Sequence, residues 1–189
     1  MTPFEYVSVL ISIILGLGIT QIMTGLADLV HQWGRVKLYT PHTIWILMTF
    51  VLHIQEWWIT YQLRTVNSWP LLLFLFMILY PVSLFILARI LFPSVIGDDG
   101  VNLQTFFRLN RRKFYLITIV LAILSIGSNS IIYGVKLDQL VQVSLILVLG
   151  WVSHRNYPDD KFHSRLAWLL LLALCLSIGI NWEEWQIAG

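Results

Sequence analysis

The stretch from Ile44 to Leu63, IWILMTFVLHIQEWWITYQL, decides how this chain is read. Its first half is an apolar run of the kind that crosses a bilayer as a helix, which takes about 20 residues. His53 and Glu56 interrupt it three residues apart. An ionisable group at bilayer depth costs a few kcal/mol or more, so it is rarely kept there without a partner or a purpose. On a helix, side chains at i and i+3 meet, so the imidazole and the carboxylate can share a hydrogen bond.

The stripe continues in both directions. At 100° per residue, His42, Trp45, Thr49, His53, Glu56, Thr60 and Arg64 fall on one face. Two explanations compete for it. Chains of intramembrane His and acidic residues mark proton relays and ion pathways. Buried polar pairs also fix helix packing, with Thr49 and Thr60 bonding backbone or neighbouring helices. Gln55 and Gln62 lie on another face, where a second subunit could contact them.

The whole chain agrees with a membrane setting. It has 189 residues, 58% hydrophobic and 12% charged, and its mean hydropathy is +0.77. Soluble domains carry about 25% charged residues. The expected fold class is all-α: a polytopic bundle of six transmembrane helices forming one domain over residues 1–189. The spans are expected at Glu5–Leu29, Thr43–Leu63, Trp69–Phe92, Phe114–Tyr133, Leu137–Val152 and Leu166–Ile180, the last two being short. Cys175 is the only cysteine, which excludes an intrachain disulfide.

Basic residues set the orientation. With six spans, one side holds Arg35, Lys37, Arg108, Arg111, Arg112, Lys113, Arg155, Lys161 and Arg165, while the other holds Arg64 and Lys136. Both termini are therefore expected to be non-cytoplasmic, in a bacterial-type inner membrane. The cytoplasmic loop 93–113 reads as an interfacial amphipathic segment. Val101, Leu103, Phe106 and Phe107 would dip into the bilayer there, while Arg108, Arg111, Arg112 and Lys113 meet anionic lipid headgroups.

The first span repeats small or hydroxyl residues every four positions: Ser8, Ser12, Gly16, Thr20, Thr24 and Asp28. Such a row drifts around the helix, which suits close helix crossing better than a straight pore lining. Ser12, Gly16, Thr20 and Gly25 are the expected packing positions, and a homo-oligomer docked through this span is expected. Asp28 sits where it could end a polar pathway. On the fourth span, Thr118, Ala122, Ser125, Asn129 and Tyr133 share a face, with Asn129 at the depth of Glu56. Ser125 and Asn129 are thus expected to line a cavity with His53, Glu56, Thr49 and Thr60.

No phosphate-cradling glycine loop, Ser-His-Asp constellation or Cys-x-x-Cys is present. Nothing points to nucleic acid, and no catalytic residues or cofactor are expected. Haem or a metal is the minor alternative, should His42, His154 and His163 converge. The expected function is ion or proton conduction, or proton-coupled transport, at the His53–Glu56 pair. A non-catalytic membrane scaffold or subunit is the competing expectation.

Overall fold

A computed structural model describes residues 2–66, 68–94, 97, 100–134, 139–155 and 159–180. Among them the chain is helical apart from one short strand pair. The helices are α1 (Pro3–His31), α2 (Thr40–Thr60), α3 (Leu71–Ile90), α4 (Leu103–Tyr133), α5 (Gln139–Arg155) and α6 (Asp160–Ile180). Four of them, α1, α3, α4 and α6, are long and apolar enough to cross a membrane. α5 has only 17 residues, and α2 is diluted by its polar stripe.

Each start has a local cause. Thr2 caps α1: its hydroxyl accepts from the Glu5 amide at 3.1 Å, and the Glu5 carboxylate accepts from the Thr2 amide at 2.8 Å. This reciprocal box satisfies donors that a helix leaves open. Asn102 does the same for α4, its Oδ1 accepting from the amides of Gln104 and Thr105. Pro41 and Pro70 sit where a helix start tolerates a missing N–H. Pro81 lies inside α3, which runs unbroken through it.

Strand β1 (Val36–Lys37) pairs in parallel with β2 (Val101–Asn102), Val36 opposite Val101. This staple ties the α1–α2 connection to the start of α4. It needs Gly100, whose φ is +78° and whose missing side chain would land on the Arg35 backbone.

α1 buries Val7, Ile11, Leu15, Gly18, Ile22, Gly25 and Leu29. These steps of three and four make one continuous seam. The seam packs chiefly on α3 and next on α2. α2 is also flanked by α3 and α6, and α5 packs on α4. One hydrophobic cluster draws on all six helices, from Ile11 and Leu15 through Trp45, Leu84, Leu87, Phe107 and Phe114 to Leu149 and Ala167.

The basic segment expected at the bilayer surface runs directly into a long apolar helix. α4 begins at Leu103 and continues without a break through Lys113. Leu103 and Phe107 are fully buried in the protein, not free to enter lipid. The physical reason is spacing. Leu103, Phe107, Arg111 and Phe114 recur at steps of four, four and three, so they form an inward face once Asn102 starts the helix. Arg108, Arg112 and Lys113 are left outward-facing.

Candidate functional site

His53 sits in the middle of α2 with no exposed surface. Its Nδ1 lies 2.8 Å from the carbonyl oxygen of Thr49, one turn earlier. A carbonyl only accepts, so Nδ1 carries the hydrogen and donates. In the neutral ring Nε2 is then a bare lone pair. That atom is buried without a hydrogen-bond partner. What it meets is α1: a Cβ added at Gly18 would fall on His53 Nε2, with Cδ2 and Cε1 close behind. The edge of the imidazole rests on the bare backbone of Gly18.

Glu56 is half-buried one turn further along. No hydrogen bond joins it to His53 among the described residues. Its ionisable neighbour across the helix interface is Tyr80 of α3, whose phenol feels the Glu56 charge. The hydroxyls of the stripe are turned back on their own helix. Thr49 Oγ1 donates to Trp45 O and Thr60 Oγ1 to Glu56 O, both at 2.8 Å. Thr49 and Thr60 are both buried.

No hydrogen bond joins the other expected site residues to His53 or Glu56 among the described residues. Ser125 is joined to α5, its hydroxyl accepting from Gln142 Nε2 at 3.0 Å. Asn129 is half-buried on the same helix, and Asp28 is exposed at the end of α1. The site that forms around His53 is thus made by α1, α2 and α3. Tyr80 and Gly18 belong to it and were not among the residues expected at this site. The signal for Gly18 was its place on the Ile11–Leu15–Ile22–Leu29 seam, where it is smaller than its neighbours.

The expected packing residues divide. Gly25 is buried, and a Cβ there would strike the ring of Phe92 at the end of α3. Gly16 has open space around it. Thr20 faces outward with its hydroxyl on Gly16 O at 2.8 Å, and Ser12 is half-buried.

A second buried group occupies the opposite end of α2. His42 and His163 are 0% and 1% exposed. Both rings contact Phe107, at centroid distances of 6.4 and 6.2 Å. His42 Nε2 lies 2.8 Å from Leu91 O, just past α3, so there it donates across the bundle. His163 Nδ1 bonds the hydroxyl of Tyr115 at 2.7 Å, linking α6 to α4. Trp45, Phe106, Phe114 and Phe162 complete the aromatic packing. His42 and His163 therefore do converge, while His154 is exposed.

Beside this cluster Asp160 accepts from Arg108 through two nitrogens and from Gln104 Nε2 at 2.7 Å. The Arg108 hydrogen bonds hold the Asp160 carboxyl below the usual carboxylate range, against the opposing effect of desolvation. Burial, reinforced by the Asp160 charge, pushes the Tyr39 phenol up, so it stays a neutral hydroxyl.

Among the described residues, no group of three or more His, Cys, Asp or Glu side chains is placed to hold a metal ion. No protein-family model matches the chain, and no characterised protein or solved structure shows significant similarity to it. Its function must be argued from the site alone.

Proposed function

We propose that this protein moves protons, or a solute coupled to them, across a membrane through a site built on His53 and Glu56, with Tyr80 beside the carboxylate. One observation carries the proposal: His53 presents a buried, unpartnered proton acceptor. Nδ1 is committed to the Thr49 carbonyl, and Nε2 has nothing to accept from. A buried polar atom without a partner costs about 1–3 kcal/mol; His42 Nδ1 is also unpartnered, but that ring is anchored across the bundle on Leu91 O, whereas His53 makes no hydrogen bond to another helix. An imidazole with an open lone pair is a base near neutral pH once water reaches it. A carboxyl one turn away can supply the proton or balance the charge.

The setting proposed is a six-span bundle, with α2 and α5 crossing alongside the four more apolar helices. Both termini would then be non-cytoplasmic, in a bacterial-type inner membrane. The outward Arg108, Arg112 and Lys113 would meet anionic headgroups, with Arg111 behind them. The open surface at Gly16, between Ser12 and Thr20, is the proposed contact of a homo-oligomer.

The rival is a scaffold whose polar stripe only stabilises helices. The inward-folded hydroxyls of Thr49 and Thr60 favour it, since they offer no continuous path. Reconstitution separates the two. Purified protein in liposomes should dissipate an imposed pH gradient, and His53→Gln should abolish this without loss of folded protein. Protein-free and protein-containing vesicles that behave alike, over a panel of ion and pH gradients, would favour the scaffold.

A further inference from the structure

The contact between His53 and Gly18 has a consequence for when the proton can bind. Nε2 has essentially no accessible surface. The ring edge that bears it occupies the volume where any other residue at position 18 would put its Cβ. Protonation would turn Nε2 from a bare acceptor into an N–H donor on a cation. The docked arrangement offers that donor no acceptor, only the backbone of α1. A buried, unpaired charge of this kind is strongly disfavoured.

The Glu56 carboxyl one turn away makes no hydrogen bond to the docked ring. Of titratable groups, α2 itself contributes His42 and Glu56, and the turn after it Tyr61 and Arg64. α3 offers Tyr80 and Arg89, and α4 Arg111 and Tyr115. α6 carries Asp160, Lys161, His163 and Arg165 at its start and Cys175 further along, while Glu5, Tyr6, Asp28 and His31 of α1 sit toward its ends. The Thr49 carbonyl is the one hydrogen-bond partner of the His53 ring among the described residues.

We propose that Gly18 is a positioning residue for His53 and that the α1–α2 contact it permits is a latch. With α1 docked, His53 is held neutral as the Nδ1–H tautomer. With the contact opened, Nε2 accepts a proton from water or from the Glu56 carboxyl, which becomes a carboxylate. Proton binding and helix docking exclude one another, so each proton taken up is coupled to a movement of α1. This deepens the proton-transfer proposal and rests on it for its purpose. The latch itself is read without any measurement of flux.

The full-length protein in lipid nanodiscs, carrying Cys175→Ser, is labelled with ¹⁵N-histidine. Spin labels are placed at the outward-facing positions 17 and 54, replacing Leu17 and Ile54, which are 53% and 41% exposed. NMR reads the tautomer and charge of His53, and the label pair reads the α1–α2 separation, both from pH 9 to pH 4. At high pH the Nδ1–H tautomer and the short separation are expected together. As pH falls, loss of that tautomer should coincide with separation of the labels. Gly18→Ala should hold the helices apart throughout and let His53 protonate at least about 1 pH unit higher, tenfold in proton affinity. His53→Gln should keep the short separation at every pH. The latch is overturned if His53 protonates while the labels stay close, or if separation still follows pH in His53→Gln. It is also overturned if His53 stays neutral in both the wild type and a folded Gly18→Ala. Should Gly18→Ala not fold, the His53→Gln comparison decides. A working latch in a protein without flux would overturn transport and leave the latch standing.

Discussion

Two histidines of α2 are equally buried and differently used. His42 spends its donor on Leu91 O, outside its own helix, and sits among rings from α4. His53 spends its donor on Thr49 O, inside its own helix; in each ring the other nitrogen, His42 Nδ1 or His53 Nε2, is buried without a partner. A bond across the bundle holds helices together. A bond within the same helix fixes only the tautomer and the direction of the ring. The His42 end, with Tyr115 and His163, therefore reads as construction, and the His53 end as chemistry.

The contrast is broken or sharpened by stability measurements on purified protein. The largest loss is expected for His42→Ala, which removes a buried cross-bundle hydrogen bond and leaves a cavity among aromatic rings. Thermal or denaturant unfolding should show a cost of about 2–4 kcal/mol. Tyr115→Phe should follow, at about 1–2 kcal/mol, because it leaves His163 Nδ1 without its bond while keeping the ring. His53→Gln should cost less than about 1 kcal/mol, since the residue makes no hydrogen bond to another helix. If His53→Gln destabilised as much as His42→Ala, the division between construction and chemistry would be wrong.

The smallest effect is expected at the Arg108–Asp160 pair, an exposed guanidinium on a half-buried carboxylate, whose melting-temperature contribution should be only about 1–3 °C. Its pH dependence has a definite sign. The Asp160 carboxyl is held below its unfolded range by Arg108, so its contribution is present above about pH 4 and lost as pH falls through the lower folded value. Wild type and Arg108→Ala should thus differ at pH 7 and converge under strong acid. A difference that grew on acidification would contradict the pairing.

The helical fold was legible because long apolar runs separated by basic or turn-forming segments admit little else. The α2 stripe was legible because polar residues stand out against an apolar background. The inward face of α1 was not. Leu, Ile and Val lie on every side of it, so apolar periodicity could not choose between the seam through Gly18 and Gly25 and the row through Ser12, Gly16 and Thr20. Small residues drew attention to the row through Ser12, Gly16 and Thr20, which remains largely on the outside of a single chain. The inward face at the start of α4 was missed for a related reason. Arg108, Arg111, Arg112 and Lys113 suggested a surface segment, although Leu103, Phe107 and Phe114 already marked an inward stripe. The Tyr115–His163 bond joins residues 48 apart in sequence, and no local pattern announces such a meeting. Asn129 was matched to Glu56 by depth, and Ser125 was added because it shares that face; depth does not say which neighbour a helix turns toward, and Ser125 bonds Gln142 of α5.

The most direct test of a proton-carrying site is proton flux through Glu56→Gln in liposomes, normalised to folded protein. The amide keeps the size and hydrogen-bonding capacity of the side chain but cannot give up a proton. The account predicts a correctly folded variant whose flux, or the pH dependence of whose flux, is abolished. A Glu56→Gln protein that conducts as the wild type does, with the same pH profile, would contradict it.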